Sequence, residues 1–300
     1  MKKITIVGSI NLDTTLRVST LAKPGETCHS TGLSIAGGGK GANQGVAAKR
    51  LGAEVAFIGA VGNDTAGEQM MGLLRKEGLD TTGISVLEGS TGQAFITVDN
   101  TGENSIVIHS GANGSMTPEH IMEHGELIEA SDAVIAQLES SIESTMEAFR
   151  IGRAAKVMTV LNPAPGREDV PLELLGLTDV IIPNETETEI LTGIKIKNDV
   201  DLKEAANYFH DLGIGAVIIT LGSKGAFYSA KGQERKIPAL TVVPVDTTAA
   251  GDTFIGAVTS VLLRDLSNIE EAVVFGNLAS SVTVQGHGAQ PSIPYSEDLN

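Results

Sequence analysis

Apolar and polar positions along this chain change period in a regular order. Residues 4–10, 55–61, 133–137, 157–161, 180–182 and 216–220 are short, dense apolar runs rich in Val and Ile, which predicts buried strands. Between them the spacing turns helical. Ala66, Met70, Met71 and Leu74 share one face of residues 65–77, and Gly78 supplies the stop. Residues 141–156, 200–212 and 269–284 read as further helices, and Thr117-Pro118-Glu119 opens another with a cap and a first-turn proline. Residues 240–245 read as a strand feeding a buried helix over 256–263. Strands alternating with helices at this spacing predict an α/β fold, a doubly wound, mostly parallel sheet flanked by helices.

Two stretches break the rhythm. Residues 14–18 and 29–35 alternate as short strands about the turn Lys23-Pro24-Gly25-Glu26, and residues 93–99 and 104–108 form a hairpin about Asn100-Thr101-Gly102. With no linker and no repeat, residues 1–300 are expected to be one domain carrying a small β-sheet lid at about 14–35 and 93–108. The bare faces of such a lid call for cover, so a homodimer through the lid is expected.

Composition narrows the partners. A net charge of −16, with three Tyr, seven Phe and no Trp, argues against nucleic acid and against anionic membrane surfaces. No apolar run approaches the roughly 18 residues of a membrane span. The start Met1-Lys2-Lys3 gives way at once to a strand rather than to a signal peptide. Cys28 is the single cysteine, so no internal disulfide forms and a reducing, cytoplasmic setting is expected.

The candidate chemistry gathers at strand ends. Asp246-Thr247-Thr248-Ala249-Ala250-Gly251-Asp252-Thr253 joins strand to helix through small residues. A helix N-terminus offers unpaired N–H donors and roughly half a positive charge, which suits a phosphate. Asp252 would repel that phosphate unless it removes a proton from the attacking group. Asn11 and Asp13 follow the first strand, where ligands of open α/β sheets sit. Gly37-Gly38-Gly39-Lys40-Gly41-Ala42-Asn43-Gln44-Gly45 is not a Walker A loop, because Gly41 follows Lys40, and it is a poor dinucleotide fingerprint. It reads as a flexible glycine loop that admits a ligand, with Lys40 and Asn43 making polar contacts. His120-Ile121-Met122-Glu123-His124 matches a zinc pattern formally, but no third ligand is near and the helix reads as solvent-facing.

Taken in order, Asn11-Leu12-Asp13, residues 38–44, Asn162-Pro163-Ala164-Pro165, Pro183-Asn184-Glu185-Thr186-Glu187, residues 220–225, residues 246–254 and Gly288-Ala289-Gln290-Pro291-Ser292 resemble the PfkB-type carbohydrate kinases, most closely the ribokinases. The resemblance runs from Ile4 to about Tyr295. It implies that Asn11, Asp13, Gly39, Lys40, Gly41, Ala42, Asn43 and Glu139 hold the sugar, with Asp252 as general base. It implies that the N–H groups of Ala249, Ala250, Gly251 and Asp252 form an anion hole. ATP would lie against Asn184, Thr220, Leu221, Gly222, Ser223, Lys224, Gly225, Gly251 and Asn277. Glu187 would act on Mg²⁺ through water. Asp246, Thr248, Thr283, Gly286, Gly288 and Ser292 would surround K⁺. One departure is Gln285-Gly286-His287, where the family is often basic.

The activity so implied is ATP-dependent phosphorylation of D-ribose on its 5-hydroxyl. The alternative is a kinase of the same family for deoxyribose or another small sugar. A catalytically dead sugar sensor would have lost Asp252 or Gly251, and both are present. An oxidoreductase would want its glycine motif straight after the first strand, where Gly8-Ser9-Ile10-Asn11 does not supply it.

Overall fold

The structure, a computed structural model, describes residues 1–299. The chain opens with β1 (Lys3–Val7), β2 (Asn11–Val18), β3 (Ser30–Gly38), α1 (Lys40–Arg50), β4 (Glu54–Gly62), α2 (Thr65–Lys76) and β5 (Asp80–Leu87). Then come β6 (Gly92–Val98), β7 (Asn104–His109), α3 (Pro118–Glu123), α4 (Gly125–Glu129), β8 (Ala133–Ala136), α5 (Ile142–Ala154), β9 (Met158–Leu161) and α6 (Leu172–Gly176). The chain continues through β10 (Val180–Ile181), α7 (Glu185–Thr192), α8 (Asp199–Asp211), β11 (Ala216–Thr220), β12 (Ala226–Ala230) and β13 (Gln233–Ile237) to α9 (Ala250–Val261) and α10 (Ile269–Thr283).

Nine strands form one sheet in the order β13-β12-β11-β10-β9-β8-β1-β4-β5. All pairings from β11 to β5 are parallel, and β12 alone is reversed, pairing antiparallel with both β11 and β13. Successive residues of each strand face opposite layers. Ile135 and Ile218 pack with Phe254 of α9 and Val273 of α10, whereas Val134 and Val217 pack with Phe149 of α5 and Phe209 of α8. The apolar runs of the sequence are buried on both faces for this reason. Local signals set the helix starts: Asp64 accepts the Gly67 N–H at α2, and Ser141 Oγ accepts the Ser144 N–H at α5.

A second sheet, ordered β3-β2-β6-β7, stands apart from the large one. The register places Leu33 and Ile35 of β3, Phe95 of β6 and Val107 of β7 on one face, and all four are exposed.

The structure departs from the sequence reading in four places. Residues 240–245 form no strand: Pro244 breaks the run, Val243 is 83% exposed, and the Val245 N–H bonds the Val284 carbonyl instead of a neighbouring strand. The glycine stretch is not a free loop, because β3 runs through Gly38 and α1 starts at Lys40. β2 begins at Asn11 rather than at residue 14, so Asn11 and Asp13 sit on a strand of the small sheet. β5, which pairs with β4 at the sheet edge, was not anticipated, since Thr81, Thr82 and Gly83 dilute its apolar signal.

Candidate active site

The carboxyl ends of β1, β8, β9, β10 and β11 face the N-termini of α1 and α9. The two helices meet closely because Gly256 has no side chain, whose Cβ would fall 2.6 Å from Ala47 Cβ and 2.7 Å from the Gln44 carbonyl oxygen. Asp252 in the first turn of α9 is thereby brought onto α1. Its Oδ2 accepts from Asn43 Nδ2 at 3.0 Å and its Oδ1 from Gln44 Nε2 at 3.0 Å. Burial pushes the Asp252 carboxyl up, opposed by the Lys40 charge and by these two amides.

Ala249, the N-cap of α9, holds φ +61°, a left-handed conformation that costs a non-glycine residue on the order of 1 kcal/mol. The Ala250 N–H is taken by the Thr247 carbonyl and the Thr253 N–H by the Ala249 carbonyl. The N–H groups of Ala249, Gly251 and Asp252 have no intramolecular acceptor among the described residues. Of residues 249–252, only the Ala250 N–H is engaged, and the other three are free to donate to a ligand.

A polar cluster lies on the α1 side. Glu139, just past β8, accepts from Ser9 Oγ at 2.6 Å and from the Lys40 N–H at 3.0 Å, placing a carboxylate on the N-terminus of α1. Gly41 lets the helix sit on β1, since a Cβ there would lie 2.7 Å from the Ser9 nitrogen. Asp13 Oδ1 and Asn43 Oδ1 are buried without a partner among the described residues. Burial, then the charges of Glu139 and Asp252, raise the Asp13 carboxyl to about 7. Burial alone would lower the Lys40 ammonium, but Asp252, Glu139 and Glu187 around it outweigh that and raise it. A cavity of about 260 Å³ opens beside Asn11 and Glu139.

A larger cavity of about 390 Å³ lies on the other side of the α9 N-terminus. Thr220, Gly222, Ser223, Gly225, Gly251 and Asn277 line it, together with residues 239–242 and Phe254. Leu221 is buried behind it, and Lys224 reaches Glu185 at 3.2 Å instead. Asn184 and Glu187 are engaged with each other. The Glu187 carboxylate accepts from the Asn184 N–H and Nδ2, and the Glu187 N–H donates to Asn184 Oδ1, capping α7. Burial raises the Glu187 carboxyl despite that cap.

The model of the pfkB family carbohydrate kinases matches residues 1–295. The chain belongs to the pfkB family of carbohydrate kinases. It is 47% identical over 300 residues to a ribokinase of Staphylococcus aureus (strain COL), covering 99% of this chain and 98% of that protein. It is 34% identical over 298 residues to a deoxyribokinase of Salmonella typhi, covering 99% and 97%. The solved structure of Arabidopsis thaliana ribokinase complexed with ribose and ATP superposes with a TM-score of 0.92 at 31% identity, covering 100% of this chain and 98% of that one.

The six residues of the expected cation site form one corner of this family fold. Asp246 Oδ1 accepts from the Thr248 N–H at 2.9 Å and its hydroxyl at 2.6 Å, while Oδ2 accepts from the Gly288 N–H at 2.9 Å. Ser292 Oγ donates to the Gly288 carbonyl, and Gly286 packs against Ser292 and the Thr283 carbonyl. Burial would raise the Asp246 carboxyl, but those three donors and the nearby His287 hold it below its ordinary value. Asp246 therefore has partners of its own in Thr248, Gly288 and the nearby His287.

Two buried residues, Asn113 and Gln137, were not singled out from the sequence. Asn113 accepts the Ile10 N–H at 2.9 Å and donates to Asn11 Oδ1 at 2.8 Å, turning the Asn11 amide nitrogen outward. Gln137 and Asn162 hold Gln44. Buried Asn and Gln between apolar strands were the only available signal. His120 caps α3, its Nδ1 accepting the Thr117 N–H at 3.2 Å, and among the described residues no cluster of three metal-ligating side chains forms. No helix among them is long and apolar enough to cross a membrane.

Proposed function

We propose that this carbohydrate kinase transfers the γ-phosphoryl group of ATP to the 5-hydroxyl of D-ribose, giving D-ribose 5-phosphate and ADP. One observation carries the reading. The buried, amide-held carboxylate of Asp252 and the free N–H groups at the start of α9 occupy the wall between the polar cluster and the 390 Å³ cavity.

The sugar hydroxyls meet Asn11, Asp13, Lys40, Asn43 and Glu139, with Gly39, Gly41 and Ala42 giving room. Asp13 and Asn43 each have an unpartnered buried oxygen to accept a hydroxyl proton. The 5-hydroxyl gives its proton to Asp252 as its oxygen attacks phosphorus. The free N–H groups of Ala249, Gly251 and Asp252 stabilise the charge growing on the phosphoryl oxygens. The nucleotide lies along Thr220, Gly222, Ser223, Gly225 and Asn277. Asn184, Leu221 and Lys224 support that wall from behind. Mg²⁺ on the phosphates would neutralise part of their charge, and Glu187 would reach it through water. The Glu187 carboxyl, raised by burial despite its two Asn184 donors, fits that role, since a buried charge gains from a cation. K⁺ at the corner of Asp246, Thr248, Thr283, Gly286, Gly288 and Ser292 rests on the family resemblance and on their oxygen atoms.

Ribose is favoured over deoxyribose by the closer relatives, 47% against 34% identity. The small sheet acts as a lid over the sugar, and its face bearing Leu33, Ile35, Phe95 and Val107 packs on a second copy. A cytoplasmic site fits the exposed thiol of Cys28. The test is ADP release with Mg²⁺ and K⁺ over a panel of pentoses, hexoses and nucleosides. A kcat/KM highest for ribose supports the assignment. A preference for deoxyribose or a hexose replaces the substrate, and no sugar-dependent ADP release overturns it.

A further inference from the structure

Gln44 is fully buried, one residue beyond Asn43 on α1, and every polar atom of its amide is engaged. Its Nε2 donates to Asp252 Oδ1 at 3.0 Å and to Asn162 Oδ1 at 3.1 Å, and its Oε1 accepts from Gln137 Nε2 at 2.7 Å. Only one orientation of the amide satisfies these partners. Turned over, Gln44 Oε1 would face two oxygens and its NH₂ would face another NH₂. The orientation is anchored to the main chain, because Asn162 Nδ2 donates to the Ile182 carbonyl at 3.0 Å and so must present its oxygen to Gln44. Gln137 is confined as well, its Oε1 lying where a Gly8 Cβ would be, 2.1 Å away. None of Gln44, Gln137 and Asn162 can ionise, so the arrangement is the same at every pH.

We propose that Gln44 is a positioning residue for Asp252, and that Gln137 and Asn162 act through it. The inference rests on Asp252 being the general base. Gln44 fixes Oδ1 while Asn43 fixes Oδ2, so the carboxylate is held in one plane with its remaining lone pairs toward the sugar. The buried amides also favour the ionised form over the protonated one. The titratable groups facing Asp252 are Lys40 on α1, Glu139 after β8, Asp13 on β2 and Glu187 on α7. Gln44 hydrogen-bonds none of them, so removing its amide leaves their contacts in place.

Gln44→Met keeps length and removes the donors. A hydrogen bond to a charged group is worth enough for a loss of about tenfold to a hundredfold in kcat. KM for sugar and for ATP stays unchanged, because Gln44 reaches neither ligand. The acid limb of the kcat/KM pH profile moves upward by about one pH unit, as a carboxylate short of one donor binds its proton more tightly. Gln137→Met, which touches neither Asp252 nor ligand, gives the same pattern in weaker form and serves if Gln44→Met does not fold. Asp252→Asn is measured beside them. If it keeps near-normal turnover, the general-base reading fails and this inference with it. If Asp252→Asn is dead while both amide variants keep normal kcat and an unmoved acid limb, the positioning role alone is overturned. A fall in kcat matched by losses in both substrate affinities, with the limb unmoved, marks a purely structural role and overturns it equally.

Discussion

Asp13 lies over Gly38 so closely that a Cβ on the glycine would fall 2.0 Å from Asp13 Oδ2. The missing side chain is what admits a carboxylate to this position on the small sheet. Its surroundings do not favour the charge, and burial with Glu139 and Asp252 nearby takes Asp13 from 3.8 to about 7. The folded protein thus binds this proton more tightly than the unfolded chain. The stability Asp13 contributes is full below about pH 4 and is lost as pH rises through about 7. At pH 8 the ionised group costs the sugar-free protein at most about 4 kcal/mol. Asp13→Asn should therefore raise the sugar-free thermal midpoint at pH 8 and narrow the gap between pH 5 and pH 8, while abolishing most sugar affinity. A midpoint that falls at pH 8 would show that Asp13 is stabilising as a carboxylate.

The contact of α1 with α9 at Gly256 sets the distance from Asn43 and Gln44 to Asp252. Gly256→Ala would gain about 1 kcal/mol in helix propensity on an exposed surface. Here its Cβ meets Ala47 and the Gln44 carbonyl at 2.6 and 2.7 Å, so the helices must part. We expect kcat to drop by at least tenfold, since sub-ångström displacement of reacting groups is costly, with nucleotide affinity by calorimetry nearly intact. Unchanged kcat would mean that the approach of the two helices does not matter to the chemistry.

The exposed face of the small sheet gives a prediction about assembly. Leu33, Ile35, Phe95 and Val107 are each 45% or more exposed and share one face, on three of the sheet's four strands. Phe95→Glu together with Val107→Glu should convert a dimer into a monomer in light scattering at micromolar concentration, with sugar KM raised. A wild-type protein that is monomeric and fully active contradicts the dimer.

The large sheet was legible because its strands are buried on both faces and read as unbroken apolar runs, such as residues 133–136 and 216–219. The hairpin of β6 and β7 was legible from its alternation about Asn100-Thr101-Gly102. Residues 240–245 misled because β-branched side chains signal only an extended chain, and whether a strand accepts it depends on a distant neighbour. The glycine stretch misled in the opposite sense. Its glycines are there for close approach to Ser9, Asp13 and Gln290, which depends on contacts far along the chain. Asn11, Asp13, Glu139 and Asp252 were visible as polar residues at element ends. Asn113 and Gln137 were not, because their roles lie in which amide atom faces which partner.

The last prediction concerns the ion. From the sequence, Asp246 is a carboxylate near the anion hole with no Lys or Arg in its loop, to be compensated by K⁺ or by His287 or a more distant basic side chain. In the structure Thr248 donates twice and Gly288 once to that carboxylate, and His287 adds positive charge nearby. The loop before α9 is thus tied to the segment after α10 without any ion, a tie strengthened by the Val245 and Asp246 N–H groups on the Val284 carbonyl. An ion bound here would add to an existing restraint rather than create it. We therefore expect K⁺ to raise kcat several-fold, with substantial activity remaining in tetramethylammonium chloride of the same concentration. The sugar KM should barely change, since the side chains of the corner hydrogen-bond none of Asn11, Asp13, Asn43 and Glu139. Asp246→Asn keeps an oxygen acceptor for Thr248 and drops the charge, so it should weaken the response to K⁺ more than it lowers the basal rate. Equal rates in the two salts would remove the cation site. Complete dependence on K⁺ would show that the hydrogen bonds of Asp246 do not hold the loop.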